Sequence, residues 1–231
     1  MQKYRNLFID LDDTVYDFSE ASREAFRETY DLLQYGCYFN SFEHYMELYA
    51  PYNLMLWGMY GEGKITKEEL NRRRYSHPLE AVGVNDQELA ATFCREALSR
   101  IPAKGPLMPG AIELLEYLRP KYNMYILSNG FKELQSRKMH TAGIDKYFDK
   151  LILSEDIGVN KPNPELFEHA LRTTGSKLSE SIMIGDMFET DITGAANIGM
   201  EQIYYNPKGK QGHSFKPTYE VAHLLEIKDI L

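Results

Sequence analysis

Hydrophobic and polar positions alternate along this chain in two rhythms. Short apolar runs lie at 6–9, 124–127, 150–153, 181–184 and 202–205. Each is brief and continuous, as in a strand buried on both faces. Segments with helical spacing lie between the later runs, at 111–118, 134–142, 164–171 and 191–198. Strands alternating with helices predict right-handed crossovers and a parallel sheet with helices on both faces. The interval between the first two runs breaks this rhythm. A crossover needs only about a dozen residues, and this interval is many times longer. It reads helical throughout, at 19–33, 41–57, 66–75 and 86–98. Pro102, Gly105, Pro106, Pro109 and Gly110 then punctuate the return to the sheet. The expected fold class is therefore α/β, a Rossmann-like parallel core over 1–15 and 104–231, with an inserted α-helical cap domain over 16–103. A polar loop is expected over 206–217.

Composition narrows the possibilities. The chain has 231 residues, 43% hydrophobic and 26% charged, ordinary values for a globular protein with a sizeable core. A net charge of −8 disfavours a nucleic acid polymer or an anionic membrane as partner, but not a small anion held by a local site. No stretch approaches the roughly 18 apolar residues of a membrane span. The start of the chain has no signal-like pattern, so a cytoplasmic location is expected. Cys37 and Cys94 form no CxxC pair and are expected to be buried, reduced thiols.

One motif is a decoy. Residues 58–64, GMYGEGK, resemble a phosphate-binding loop, but Ile65 follows where Ser or Thr should hold a metal. The upstream residues read as helix rather than strand. A turn between two cap helices is expected instead, with Thr66 and Glu69 as a capping box.

The chemistry gathers where the strands end. Ligands of parallel sheets bind beyond the carboxyl ends of the strands. The first run leads into Asp10, Asp12, Asp13 and Thr14; the second into Ser128, Asn129 and Gly130; the fourth into Gly185, Asp186 and Asp191. Lys161 follows the third, within NKPNP. Carboxylates crowded this closely repel one another unless a cation relieves them. Asp10 can be a nucleophile. Asp12 can protonate a leaving alcohol and later activate water. Asp10 and Asp186 offer hard oxygen ligands suited to Mg²⁺. Ser128 and the amides of Asn129 and Gly130 can donate to phosphoryl oxygens, and Lys161 adds a point charge for phosphate and for Asp10. Asp13 reads as a bystander or cap, and Asn163 with Pro164 as a helix start.

These residues together resemble the haloacid dehalogenase superfamily of phosphohydrolases. Asp10-Leu11-Asp12-Asp13-Thr14 is similar to its first motif, with Asp13 where many members have Gly. The run ending in Ser128-Asn129 is similar to the second, Lys161 to the third, and Gly185-Asp186 with Asp191 to the fourth. The resemblance implies Asp10 as nucleophile and metal ligand. It implies Asp12 as general acid/base with its backbone carbonyl on the metal, Asp186 as a direct ligand and Asp191 in the outer shell. It also implies Mg²⁺ as cofactor, with Mn²⁺ left open, and a cap that closes over the site. Asp12 favours phosphate esters, because a halide leaving group needs no proton. The tail from Pro217 and the stretch GDMFETDITGAANIGM resemble a bacterial subgroup of pyrimidine nucleoside 5′-monophosphatases. A phosphomonoesterase acting on a small phosphorylated metabolite, a nucleotide by this finer resemblance, is the leading expectation. Sugar-phosphate phosphatase, phosphomutase and non-catalytic scaffold are the alternatives, and the oligomeric state is left open.

Overall fold

The computed structural model describes residues 3–231. The chain divides into two compact units, Met1–Ser19 with Gly105–Leu231, and Glu20–Lys104.

The first unit is built on a parallel sheet of six strands in the order β3-β2-β1-β4-β5-β6. These are β1 (Asn6–Ile9), β2 (Asn123–Ser128), β3 (Lys150–Leu153), β4 (Ser181–Gly185), β5 (Glu201–Tyr205) and β6 (Tyr219–Val221). β1 and β4 are buried along their whole length, as their unbroken apolar runs require. Phe8, Leu127, Ile152 and Met183 meet Leu166, Phe167 and Ala195 in one core. The strand order reverses between β1 and β4, and that is where a doubly wound sheet opens a crevice for ligands. Ile9 pairs with Ile184 across the reversal, so the residues after both strands emerge side by side.

The helices of this unit are α5 (Ala111–Leu118), α6 (Lys132–Thr141), α7 (Pro164–Thr174) and the short α8 (Thr193–Asn197). Asn163 caps α7 by accepting from the Glu165 amide at 3.0 Å, and Pro164 opens the helix. A π turn, Phe188–Ile192, precedes α8 and takes up the first two residues of the helix expected over 191–198. Gly194 explains how closely that segment packs: a Cβ there would lie 2.3 Å from the Phe167 ring.

The second unit holds most of α1 (Phe18–Leu32), followed by α2 (Phe42–Gly61), α3 (Lys67–Ala81) and α4 (Gln87–Lys104). Its core is aromatic. Phe26, Tyr35, Tyr45, Tyr49, Tyr75 and Phe93 are buried, with rings in tilted, stacked and edge-on contact. Residues 58–64 are the end of α2 and a turn, with no strand before them, and Thr66 and Glu69 form the capping box. α2, α3 and α4 run past their expected ends. Pro78 lies inside α3 and Pro102 inside α4, both buried, so packing overrides a residue that usually stops a helix. Both cysteines are free, but Cys37 is exposed on a 3₁₀ turn and Cys94 only partly buried, contrary to the expectation of buried thiols. No helix among the described residues is long and apolar enough to cross a membrane.

Candidate active site

Asp10 leaves β1 with its backbone amide bonded to the Ile184 carbonyl at 2.9 Å, which fixes it at the reversal point of the sheet. Its carboxylate accepts from the Lys161 ammonium at 2.6 Å. The same ammonium donates to Asp191 Oδ1 at 2.6 Å and to the Leu127 carbonyl at 2.8 Å. An ammonium has three N–H donors, and all three are spent. Lys161 is only 4% exposed, so its charge is neutralised by protein rather than water. Asn129 holds the lysine's backbone from both sides, accepting from its amide at 2.8 Å and donating to its carbonyl at 3.1 Å. The Asn129 side chain thus positions Lys161.

Asp191 sits on the π turn, 1% exposed, with its second oxygen accepting from the Met187 amide at 3.1 Å. The carboxylate packs against Gly185, where a Cβ would lie 2.4 Å from Asp191 Oδ2. Only glycine leaves room for that approach. Asp186 follows directly and accepts from the buried Thr14 hydroxyl at 3.3 Å. One oxygen each from Asp10, Asp186 and Asp191 lies within 4.8 Å of the others.

These three carboxylates face one ammonium in a largely buried place, and their ionisation records the imbalance. Burial pushes the Asp10 carboxyl upward; Lys161 opposes this, while Asp191, Asp186 and Asp12 reinforce it. Burial, followed by Asp191 and Asp13, pushes Asp186 up to about 7, with Thr14 and Lys161 opposing. Burial would lower Lys161, but Asp10 and Asp191 outweigh it and hold its pKa above the ordinary value. The donor set is all oxygen, compact and short of positive charge, and so fits a hard divalent cation such as Mg²⁺.

A pH dependence follows. The Asp186 carboxyl in the folded, metal-free protein lies above its ordinary 3.8. Between those values the folded state holds a proton that the unfolded chain releases, so this group's contribution to metal-free stability falls as pH rises. Above about 7 the carboxylate is ionised and open to a cation. EDTA should abolish turnover and Mg²⁺ restore it, and Mg²⁺ should raise the thermal midpoint more at about pH 8 than at about pH 6. Scanning fluorimetry with and without Mg²⁺ at both pH values checks this; equal shifts would contradict the carboxylate account.

The Asp12 side chain is absent from this cluster. It turns toward α6, where Gln135 Nε2 donates to Oδ2 at 3.0 Å and the Lys138 ammonium pairs with Oδ1. Gln135 Nε2 also donates to Ser128 Oγ at 2.6 Å, and the Gly130 amide donates to the same oxygen at 3.1 Å. The structure therefore groups Asp10, Asp186, Asp191 and Lys161 on one side. It groups Asp12 with Ser128 and Gly130 on the other, and Asn129 bridges from the second loop to Lys161. Asp13 occupies the left-handed region at φ 57° and accepts from the Ser19 amide and hydroxyl, each at 2.7 Å, near the start of α1. A positive φ is the conformation glycine adopts most freely, and aspartate tolerates it better than most residues.

Gln135 and Lys138 lie away from the strand ends, on a helix, and no strand-end motif marks them. The available signal is their spacing of three on α6, which puts them on one helix face; both are fully buried.

Comparison with known proteins points the same way. The family model for haloacid dehalogenase-like hydrolases matches residues 4–199. The pyrimidine 5′-nucleotidase YjjG of Escherichia coli is 32% identical over 231 residues, covering 99% of this chain and 98% of that protein. The pyrimidine 5′-nucleotidase PynA of Streptococcus pneumoniae is 30% identical over 99% of this chain and 95% of its own. The crystal structure of YfnB from Bacillus subtilis, bound to magnesium, superposes with a TM-score of 0.89 at 28% identity, over 99% of this chain and 98% of that one.

Proposed function

The chain belongs to the haloacid dehalogenase-like hydrolases and is a phosphate monoester hydrolase, and we propose that it dephosphorylates a nucleoside 5′-monophosphate in a Mg²⁺-dependent reaction through Asp10. The observation that carries the chemistry is the Asp10 carboxylate itself. It is buried, held by Lys161 at 2.6 Å, and flanked by Asp186 and Asp191. The nucleotide as substrate rests on similarity to the two pyrimidine nucleotidases.

In this reading Asp10, Asp186 and the Asp12 backbone carbonyl would hold the cation, supported by Asp191. When bound, the cation neutralises phosphate charge. Asp10 attacks phosphorus, forming an O–P bond as the bond to the leaving oxygen breaks. The Ser128 hydroxyl and the Asn129 amide are assigned to the phosphoryl oxygens; the Gly130 amide is engaged by Ser128 Oγ, and Lys161, with its three N–H groups committed, acts there through its charge. Asp12 gives its proton to the departing alkoxide, then takes one from a water whose oxygen bonds to phosphorus as the Asp10 O–P bond breaks, which frees Asp10 and releases inorganic phosphate. The helical unit is assigned the role of a cap that selects the leaving group. Tyr45 and Tyr49 are spent in its own core, whereas Tyr52, stacked on His77 at 3.8 Å, and Trp57 keep part of their surface open.

The acid role makes a sharp prediction. Asp12→Asn should lower kcat/KM by about 10²- to 10⁴-fold on a nucleoside monophosphate, whose alkoxide needs a proton. On 4-nitrophenyl phosphate, whose phenolate leaves unaided, the loss should be far smaller. Equal losses on both substrates would remove Asp12 from the acid role. Phosphate release with Mg²⁺ across pyrimidine and purine monophosphates, sugar phosphates and phosphoglycolate tests the substrate. A preference for pyrimidine monophosphates is expected; a preference for sugar phosphates would overturn the nucleotide assignment and leave the core chemistry standing.

A further inference from the structure

The back of Asp12 is more elaborately built than a solvated carboxylate needs. The Lys138 side chain is fully buried, while the Asp12 side chain it pairs with is 28% exposed. The ammonium also lies 4.5 Å from the centre of the Phe18 ring and 5.4 Å from that of Tyr16. A buried ion pair of this kind is weak as a source of stability, because hydrophobic residues of like volume usually serve as well. Its geometry is better suited to control. Lys138 takes Oδ1 and Gln135 takes Oδ2, so both rotations of the carboxylate are restrained. Each carboxylate oxygen has two lone-pair directions. One on each is occupied from behind, which leaves one on each to carry or receive a proton.

Gln135 adds a second restraint. Its amide nitrogen donates to a lone pair of Asp12 Oδ2, which fixes its orientation. The same nitrogen donates to Ser128 Oγ, which also accepts from the Gly130 amide. With both lone pairs of that hydroxyl engaged, its own proton is left to donate elsewhere. Gly130 makes this possible, since a Cβ there would lie 2.2 Å from Gln135 Nε2.

We propose that Lys138 and Gln135 on α6 are positioning residues: they lock the Asp12 carboxylate in its proton-transfer orientation, and Gln135 at the same time aims the Ser128 hydroxyl at the phosphoryl group. The inference rests on Asp12 as general acid. A positioned acid contributes about 10²- to 10⁴-fold, and a mobile one forfeits most of that.

The test compares kcat/KM on uridine monophosphate with that on 4-nitrophenyl phosphate for Lys138→Met, Gln135→Leu, Lys138→Arg and Asp12→Asn. Lys138→Met should lose about 100-fold on the nucleotide and only about threefold on the aryl ester, with KM little changed. Lys138→Arg should recover part of that selective loss. Gln135→Leu should lose on both substrates through Ser128, and more on the nucleotide through Asp12. If Lys138→Met does not fold, as judged by circular dichroism, Gln135→Leu and Lys138→Arg carry the comparison. Equal losses on the two esters for the α6 variants, beside a selective loss for Asp12→Asn, would overturn the positioning role alone. An unselective Asp12→Asn would overturn the acid assignment, and the positioning role with it.

Discussion

Asp10→Asn is expected to fold normally and to lose at least about ten-thousand-fold in kcat, the scale seen when a covalent nucleophile is removed. The amide keeps the shape of the carboxylate and an oxygen for Lys161, so the 2.6 Å contact can persist. It also removes one of three mutually repelling charges. The metal-free variant should therefore unfold no earlier than the parent, while gaining less stability from Mg²⁺. Thermal unfolding with and without Mg²⁺, beside phosphate release, separates lost chemistry from lost structure. Retained turnover in a folded Asp10→Asn protein would remove Asp10 as nucleophile.

Lys161→Ala is expected to lose activity and stability together. From the sequence, Lys161 stands in a strand-end loop, where substitution should leave the fold intact. The structure revises that expectation. Removing the ammonium leaves Asp10 and Asp191 facing each other out of water and strands the Leu127 carbonyl. Breaking a buried ion pair from one side costs about 3–5 kcal/mol. Mg²⁺ should restore part of this stability, since it supplies positive charge to the same carboxylates. Urea unfolding at neutral pH, with and without Mg²⁺, measures both effects; parental stability without metal would contradict the account.

What the sequence revealed and what it hid have separate physical causes. Strands buried on both faces write themselves as unbroken apolar runs, so β1 to β5 were legible. β6 was not: Tyr219–Val221 is a short edge strand with Glu220 at its centre, and it reads as part of a polar tail. The residues after β1, β2 and β4 could be grouped in advance because parallel strands deliver their ends to one edge. The burial of Lys161 could not be foreseen. It depends on Asn129 gripping the lysine's backbone and on Gly185 admitting Asp191, contacts between distant segments. Gln135 and Lys138 were hidden for a related reason. The α6 sequence KELQSRKMHT is polar on most sides, so nothing in its pattern marks two polar residues as interior. Pro102 misled in the opposite direction: it reads as a break before the return to the sheet, yet core packing keeps it inside α4.

The most direct test of the central claim, that phosphate leaves the substrate on Asp10, is chemical trapping. Enzyme turning over a nucleoside monophosphate with Mg²⁺ is quenched in acid, treated with borohydride and digested, and the peptide spanning Phe8–Thr14 is sequenced by mass spectrometry. Borohydride should reduce an acyl phosphate at Asp10, so that residue 10, and not residue 12 or 13, is recovered as homoserine. Unmodified aspartate at position 10 in enzyme trapped during active turnover, or homoserine at another position, would contradict it.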